Sequence, residues 1–229
     1  MVETMCRVLV LSCALVCTGF CADAYADQDD VAFPGMTAAI DVGRYHTEFA
    51  YPTADHRVDV ERYALVITQS LAPDLDVGFD GAYLVASVDS PALATLDAAD
   101  GQALGLFATW HPRLGNYLGL ELQAGYRRND ADFSSPAGQP EVTWYESHVA
   151  AGPVFYLYNW RISAGVRWQR YEGNETDPGM PPAKLDFSAA RSSGTYLGLT
   201  YYLDRTGSLT LYAFAGGQRG AQLVFKREF

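Results

Sequence analysis

Carboxylates and arginines recur at even separations in three segments of this chain: Asp76 and Asp80, Glu121 and Arg127, and Arg161 and Arg167. On an extended backbone an even separation puts both members of a pair on one face. Three acids and three arginines gathered on one inner surface would do one of two things. They would neutralise each other in a buried network, because an unpaired buried charge is costly, or they would line a charged constriction that selects ions. The network is the expectation and the constriction the alternative. Gln123, Gln169, Tyr196, Thr200 and Tyr202 share the same face, and glycines such as Gly78, Gly105, Gly125 and Gly165 leave room there for long side chains.

Hydrolysis has its own candidates. Asp130-Ala131-Asp132 presents two carboxylates on one side of the chain, and Asp55-His56 places an imidazole beside a third, a set that could activate water. Ser147 and His148 are adjacent, so a strand sends them to opposite faces, where they cannot act as nucleophile and base. His111 and His148 fall on the face of the six charges without a metal-ligand spacing. Asn174-Glu175-Thr176 fits a glycosylation sequon. There is no phosphate-binding glycine loop, zinc motif or cofactor signature, so no catalytic site, cofactor or metal is expected.

The elements that must position these residues are written in a period of two. From Tyr117 to Arg128, Leu118, Leu120, Leu122, Ala124 and Tyr126 alternate with Gly119, Glu121, Gln123, Gly125 and Arg127; from Trp160 to Gln169 the apolar set is Trp160, Ile162, Ala164, Val166 and Trp168. Eight residues of strand cover about 26 Å, or about 20 Å of height on a strand tilted by about 40°, close to the apolar band of an outer-membrane barrel. The expected fold is therefore an all-β, closed, antiparallel up-and-down transmembrane barrel. Trp110, Tyr126, Trp160, Trp168 and Tyr201 form its aromatic girdle.

Ten strands are expected: Met36 to His46, Val58 to Leu71, Leu75 to Val88, Gln102 to His111, Tyr117 to Arg128, Val142 to Tyr156, Trp160 to Glu172, Phe187 to Leu203, Ser208 to Gly216 and Gly220 to Phe229. Eight is the alternative count. Short turns alternate with longer polar connections, as periplasmic turns and external loops do. Pro153 falls on the apolar face of its strand, where a bulge is expected. A soluble barrel would reverse the polarity of the two faces; charges of both signs on the inward face, aromatics near strand ends and a terminal Phe229 favour the membrane form.

Residues 1–26 read as a secretory signal peptide, with Arg7, an apolar run from Val8 to Cys21 and cleavage after Ala26, Ala24 being the alternative. All four cysteines lie in this leader, so the barrel over 27–229 is expected to have no disulfide. At the other end Gln218, Gly220, Leu223 and Phe225, closed by Phe229, follow a polar-x-Gly-x-x-apolar-x-apolar pattern with a terminal aromatic. Here the chain resembles the small outer-membrane β-barrel proteins of Gram-negative bacteria. The resemblance implies export to the outer membrane, contact with its lipid, and recognition of this last strand by the barrel-assembly machinery. The run Lys226 to Glu228 is more charged than is usual there. Omptin proteases also have ten strands and an acid and histidine site near the rim, but this chain is shorter and its histidine context differs.

The formal charge of −11 becomes −10 without the leader, which removes one Arg and two acids. Nucleic acid is therefore disfavoured as a partner, and composition leaves the oligomeric state open. The acids are expected in the external loops, at Asp89, Asp97, Asp100, Asp130, Asp132, Glu141, Glu172, Glu175, Asp177 and Asp186. The functional expectation is a structural or small-solute passage role. One alternative is a narrow, gated ion-selective channel governed by Arg127, Arg161 and Arg167 with the acidic lumen residues Asp76, Asp80 and Glu121; another is a lipid or peptide hydrolase with a site on the rim or lipid face.

Overall fold

The computed structural model describes residues 35–52, 55–89, 99–132, 141–177 and 183–229. The leader expected over 1–26 lies outside them. The strands are β1 (Met36–Ala50), β2 (Asp55–Ala72), β3 (Leu75–Asp89), β4 (Ala99–Trp110), β5 (Leu118–Asp132), β6 (Glu141–Leu157), β7 (Trp160–Asp177), β8 (Ala183–Ala189), β9 (Ser193–Tyr202), β10 (Gly207–Gly216) and β11 (Gln218–Glu228). Each is antiparallel to its neighbours, and β1 pairs with β11 from Thr37↔Glu228 to Thr47↔Gln218, which closes the sheet.

The eighth stave is divided. Both β8 and β9 pair with β7, but β9 continues onto β10, whereas β8 turns to β1 through Phe49↔Ala189 and Ala50↔Ser188. The end carrying Met36 and Phe229 thus closes with ten strands, and the loop end with eight. The cause is the brevity of β10 and β11, 10 and 11 residues long, whose hairpin stops at Gly217.

The strands run further towards the loop end than the alternation had implied: β1 reaches Ala50, β5 reaches Asp132 and β7 reaches Asp177. Every acid expected in a loop stands on a strand except Asp97, which lies outside the described residues. The reason is a reversal of polarity along the same staves. Near the turns, leucines and aromatics point outward and charges inward; near the loops, Arg128, Asp130, Arg170 and Glu172 point outward while Phe49, Val58, Ala131, Val142, Trp144, Tyr171 and Phe187 bury themselves inside. Phe49 stacks on Phe187 at 4.4 Å between ring centroids and meets Trp144 and Tyr171 at 6.0 Å. Above the lipid the outer surface faces water, and an apolar interior is what then stabilises a barrel.

Pro153 faces outward, as its position in the alternation requires, yet it makes no bulge. Ala151↔Val166 and Val154↔Ser163 keep one register on either side of it, and the ladder merely lapses between them. Proline removes a donor without needing an inserted residue. Gly152 accommodates the crowding beside it, since a Cβ there would fall 1.9 Å from the Ala164 carbonyl oxygen. The bulge in this sheet lies between Ser70 and Ala72.

The turn into β10 is held by Asp204. Its carboxylate accepts the Thr206 N–H at 2.8 Å, the Thr206 hydroxyl at 3.0 Å, the Gly207 N–H at 2.7 Å and Arg227 Nη1 at 2.8 Å. These donors, the Thr206 backbone first, hold its pKa down at about 2.

Two measurements test this architecture. Trp144→Ala should destabilise the barrel by about 3–5 kcal/mol, the cost of a large buried aromatic, read from urea unfolding in detergent; an unchanged midpoint would mean the apolar interior does not pack. Because the folded pKa of Asp204 is depressed, its stabilising effect is present above the ordinary carboxylate value and lost as pH falls through about 2. An NMR titration of that carboxyl with a midpoint near 4 would contradict the turn geometry.

Candidate functional site

Pairing in register sets two aromatic rings around the outside. Trp110, Trp160 and Tyr201 stand near the turns, with Trp160 and Tyr201 in contact at 4.7 Å. Tyr126 stands higher, stacked with Tyr145 at 6.0 Å, and Trp168 lies eight residues above Trp160 on β7; Tyr63 and Tyr83 pair at the same upper border. The expected girdle therefore divides into a lower set (Trp110, Trp160, Tyr201) and an upper set (Tyr126, Trp168). Between them lie exposed side chains such as Leu104, Leu106, Leu197, Leu211 and Phe79. An apolar band of this kind belongs in lipid, and its outward direction excludes a soluble barrel built around an apolar cavity.

Inside, the charged side chains form an alternating chain across the lumen. Asp41 on β1 receives Arg62 of β2; Arg62 Nη1 lies 3.7 Å from Asp80 of β3. Arg127 of β5 donates from Nε and Nη2 to Asp80 at 3.1 and 3.0 Å and from Nη1 to Glu146 of β6 at 3.2 Å, and Arg167 of β7 donates to Glu146 at 2.8 Å. Three acids meet three arginines in strand order, with His148 buried 3.9 Å from Glu146. The Arg167 guanidinium also sits 5.5 Å over the Phe214 ring. Charges buried in this way hold only while all are paired.

The six residues singled out from the sequence do not form one network. Asp80, Arg127 and Arg167 enter the chain just described. Arg161 pairs with Glu121, which also accepts from the Tyr196 hydroxyl at 3.5 Å. Asp76 sits nearest the turns, accepting from Ser70 at 2.6 Å and facing His111 Nε2 at 3.1 Å. Four residues separate Asp76 from Asp80 on β3, about 13 Å of strand, which keeps the groups apart. Sequence reasoning missed Asp41, Arg62 and Glu146. The signal was present: Ala39, Asp41, Gly43, Tyr45 and Thr47 hold one face of β1, and Glu146 and His148 hold one face of β6.

Between the ion chain and the turns lies a vestibule of about 680 Å³, lined by Glu121, Arg161, Tyr156, Tyr202, Tyr212, Thr200, Thr210 and Lys226, with Asp74, Arg113 and Arg205 of the turns at its mouth. On the other side of the chain the Phe49 cluster fills the barrel. The lumen is thus layered: vestibule, charges, apolar plug.

The hydrolytic set is not assembled. Asp130 and Asp132 point outward on β5, where Asp130 is bound by Arg128 and by the Thr143 hydroxyl at 2.8 Å. His56 sits on the inner face of β2, its ring 5.1 Å from that of Tyr51. Three strand spacings, about 14 Å, part β2 from β5. His148 is buried in the lumen while Ser147 faces out. Of the C-terminal residues, Gln218 is buried inside, Gly220 has a φ of +152°, Leu223 and Phe225 face the lipid, and the Phe229 N–H donates to Met36 at 2.9 Å.

No protein-family model and no curated protein sequence matches this chain. Among solved structures it is similar to the translocator domain of the autotransporter NalP from Neisseria meningitidis, at 9% identity and a TM-score of 0.52, over 99% of this chain and 98% of that one. It is also similar to the outer membrane protease OmpT from Escherichia coli, at 11% identity and a TM-score of 0.53, over 89% and 99%. The likeness is one of fold: a closed ten-strand antiparallel barrel of the outer-membrane type.

Removing one member of the ion chain should be severe. Arg127→Ala leaves Asp80 and Glu146 short of a partner and should cost about 3–5 kcal/mol, measured by urea unfolding in detergent. A loss below about 1 kcal/mol, typical of an exposed pair, would show that water already screens this layer.

Proposed function

We propose that this protein is a sealed structural barrel of the Gram-negative outer membrane, not an open diffusion pore and not an enzyme. One observation carries the reading: the alternating chain from Asp41 to Arg167 and the Phe49, Trp144, Tyr171 and Phe187 plug lie in series across the lumen. A solute would have to break paired buried charges and then open a packed apolar core, both costly. Export through the 1–26 leader and insertion by the barrel-assembly machinery at Gln218, Gly220, Leu223, Phe225 and Phe229 belong to the same reading. The separation of Asp130 and Asp132 from His56 supports the absence of that particular hydrolytic centre.

A second reading, a gated passage for small solutes, is favoured by the vestibule, which brings water and solutes from the turn side as far as Arg161 and Arg167. Single-channel conductance in a planar bilayer separates the two. The refolded barrel should be silent, and Phe49→Ala combined with Phe187→Ala should make it leak, because the stacked pair at the centre of the plug is removed. Discrete, ion-selective steps from the unaltered protein would overturn the sealed reading, and an altered selectivity in Arg167→Ala would then place that residue in the conducting path.

A further inference from the structure

The outward residues of β11, β1, β2 and β3 can be read rung by rung. Leu223, Val42, Tyr63 and Tyr83 form the last apolar rung; the next outward rung is Ala221, Arg44, Glu61 and Val85, and the one above it Arg219, His46, Asp59 and Ser87. Charge enters the outward face one step above the band, about 7 Å of strand, at Arg44 and Glu61, and the rung above that is polar throughout. Arg44 and Arg219 therefore stand at the height where lipid head groups meet water.

This sector also carries the step from ten strands to eight. The β10–β11 hairpin ends at Gly217, tucked beneath the break between β8 and β9: the Gly217 N–H donates to the Ser193 carbonyl at 2.8 Å, and a Cβ at 217 would fall 2.6 Å from the Arg191 carbonyl oxygen. Two staves stop here and the wall above is carried by β8 and β1 alone, leaving a shelf. Arg191 stands over it from the break, Arg219 at its edge on β11 and Arg44 beside it on β1.

These three arginines differ from others at the same border in having unspent donors. Arg44 Nη1 lies 3.6 Å from Glu61 and Arg191 Nε lies 3.6 Å from Glu48, beyond hydrogen-bond distance, and both side chains are more than half exposed. Arg219 has no ion-pair partner among the described residues. Arg128, by contrast, donates from Nε and Nη2 to Asp130 on its own strand, and Arg170 is bound to Glu172. Guanidinium groups with free donor forks match phosphate oxygens two at a time. Glu48 and Glu61 pair by charge with Arg191 and Arg44 without accepting a hydrogen bond, and Arg219, opposite His46 and one outward step above Arg44, is the guanidinium left for a phosphate that the other two would flank.

We propose that the shelf is a binding site for the phosphate of an outer-leaflet lipid head group, with the acyl chains lying against the apolar rung of Leu223 and Val42 below. The proposal rests on the membrane reading of the barrel but not on whether its lumen is sealed. A phosphate in solution offers the same oxygens. The lipid is the assigned source because the shelf lies directly above the apolar band, where a head group is delivered at high local concentration and its chains are buried at once.

The test uses the refolded full chain in neutral detergent, with three probes: bisphosphorylated lipid A, the same lipid stripped of its phosphates, and inorganic phosphate. Lipid retained through size exclusion is quantified by mass spectrometry across a titration. Arg44→Gln, Arg191→Gln and Arg219→Gln together should weaken retention of the phosphorylated lipid by about tenfold or more, and the stripped lipid should bind the unaltered protein no better than the phosphorylated lipid binds this variant. Arg128→Gln with Arg170→Gln should leave retention unchanged. Heat-modifiable migration on a gel reports that each barrel is folded, and Arg219→Gln alone serves if the triple variant does not fold. Unchanged retention in the shelf variant, or an equal loss in the Arg128 and Arg170 variant, would overturn the site. Saturation by inorganic phosphate with no gain from acyl chains would overturn the lipid as its ligand. Conductance is read separately, so a conducting barrel that still retains the lipid would refute only the sealed lumen.

Discussion

Within a bilayer every backbone N–H and C=O must find its partner in the protein, because no water is present to take its place. Pairing of β1 with β11 over eleven rungs meets that demand for the lipid-facing length of this chain. The remaining features follow from closure. A closed sheet has only two faces, so side chains of period two must go either into lipid or into a narrow lumen, and the charged set has nowhere to go but inward. Once inside, they must be neutralised, which the alternation of Asp41, Arg62, Asp80, Arg127, Glu146 and Arg167 achieves in strand order.

The same constraint explains the reversal of polarity towards the loops. Where the outer surface leaves lipid for water, an apolar exterior loses its purpose and an apolar interior gains one. The strands accordingly carry Phe49, Trp144, Tyr171 and Phe187 inside and arginines and carboxylates outside. The border between the two regimes lies between Val42 and Arg44 on β1, and between Trp168 and Arg170 on β7. That border also sets the height at which the arginines beside the shelf meet the head groups.

Narrowing from ten strands to eight links these features. With β10 and β11 ending at Gly217, the loop end has a smaller circumference, which four aromatic rings can fill, while the turn end keeps a vestibule of about 680 Å³. A barrel of ten full-length staves would need a larger plug to close. The short hairpin thus bears on the aromatic cluster at the loop end and on the outward shelf alike.

The period of two, the aromatic borders and the even spacing of Asp76, Asp80, Glu121, Arg127, Arg161 and Arg167 were legible in the sequence because each depends only on which face of a strand a residue occupies. That is a local property, and it sufficed for a closed barrel with charges inside. The partition of those six residues into three groups was not legible, since it depends on height within the barrel, which the register between strands determines. Asp41, Arg62 and Glu146 escaped notice because each is the lone formal charge on the inward face of its own strand and becomes part of a chain only when β1, β2 and β6 are set beside their neighbours. The extension of strands into acidic segments escaped for a similar reason: alternation read with one fixed polarity fails where the solvent outside changes. The sequence by itself determined which way each side chain points; only the tertiary structure decided what it meets there, because partners across a sheet come from residues far apart in the chain.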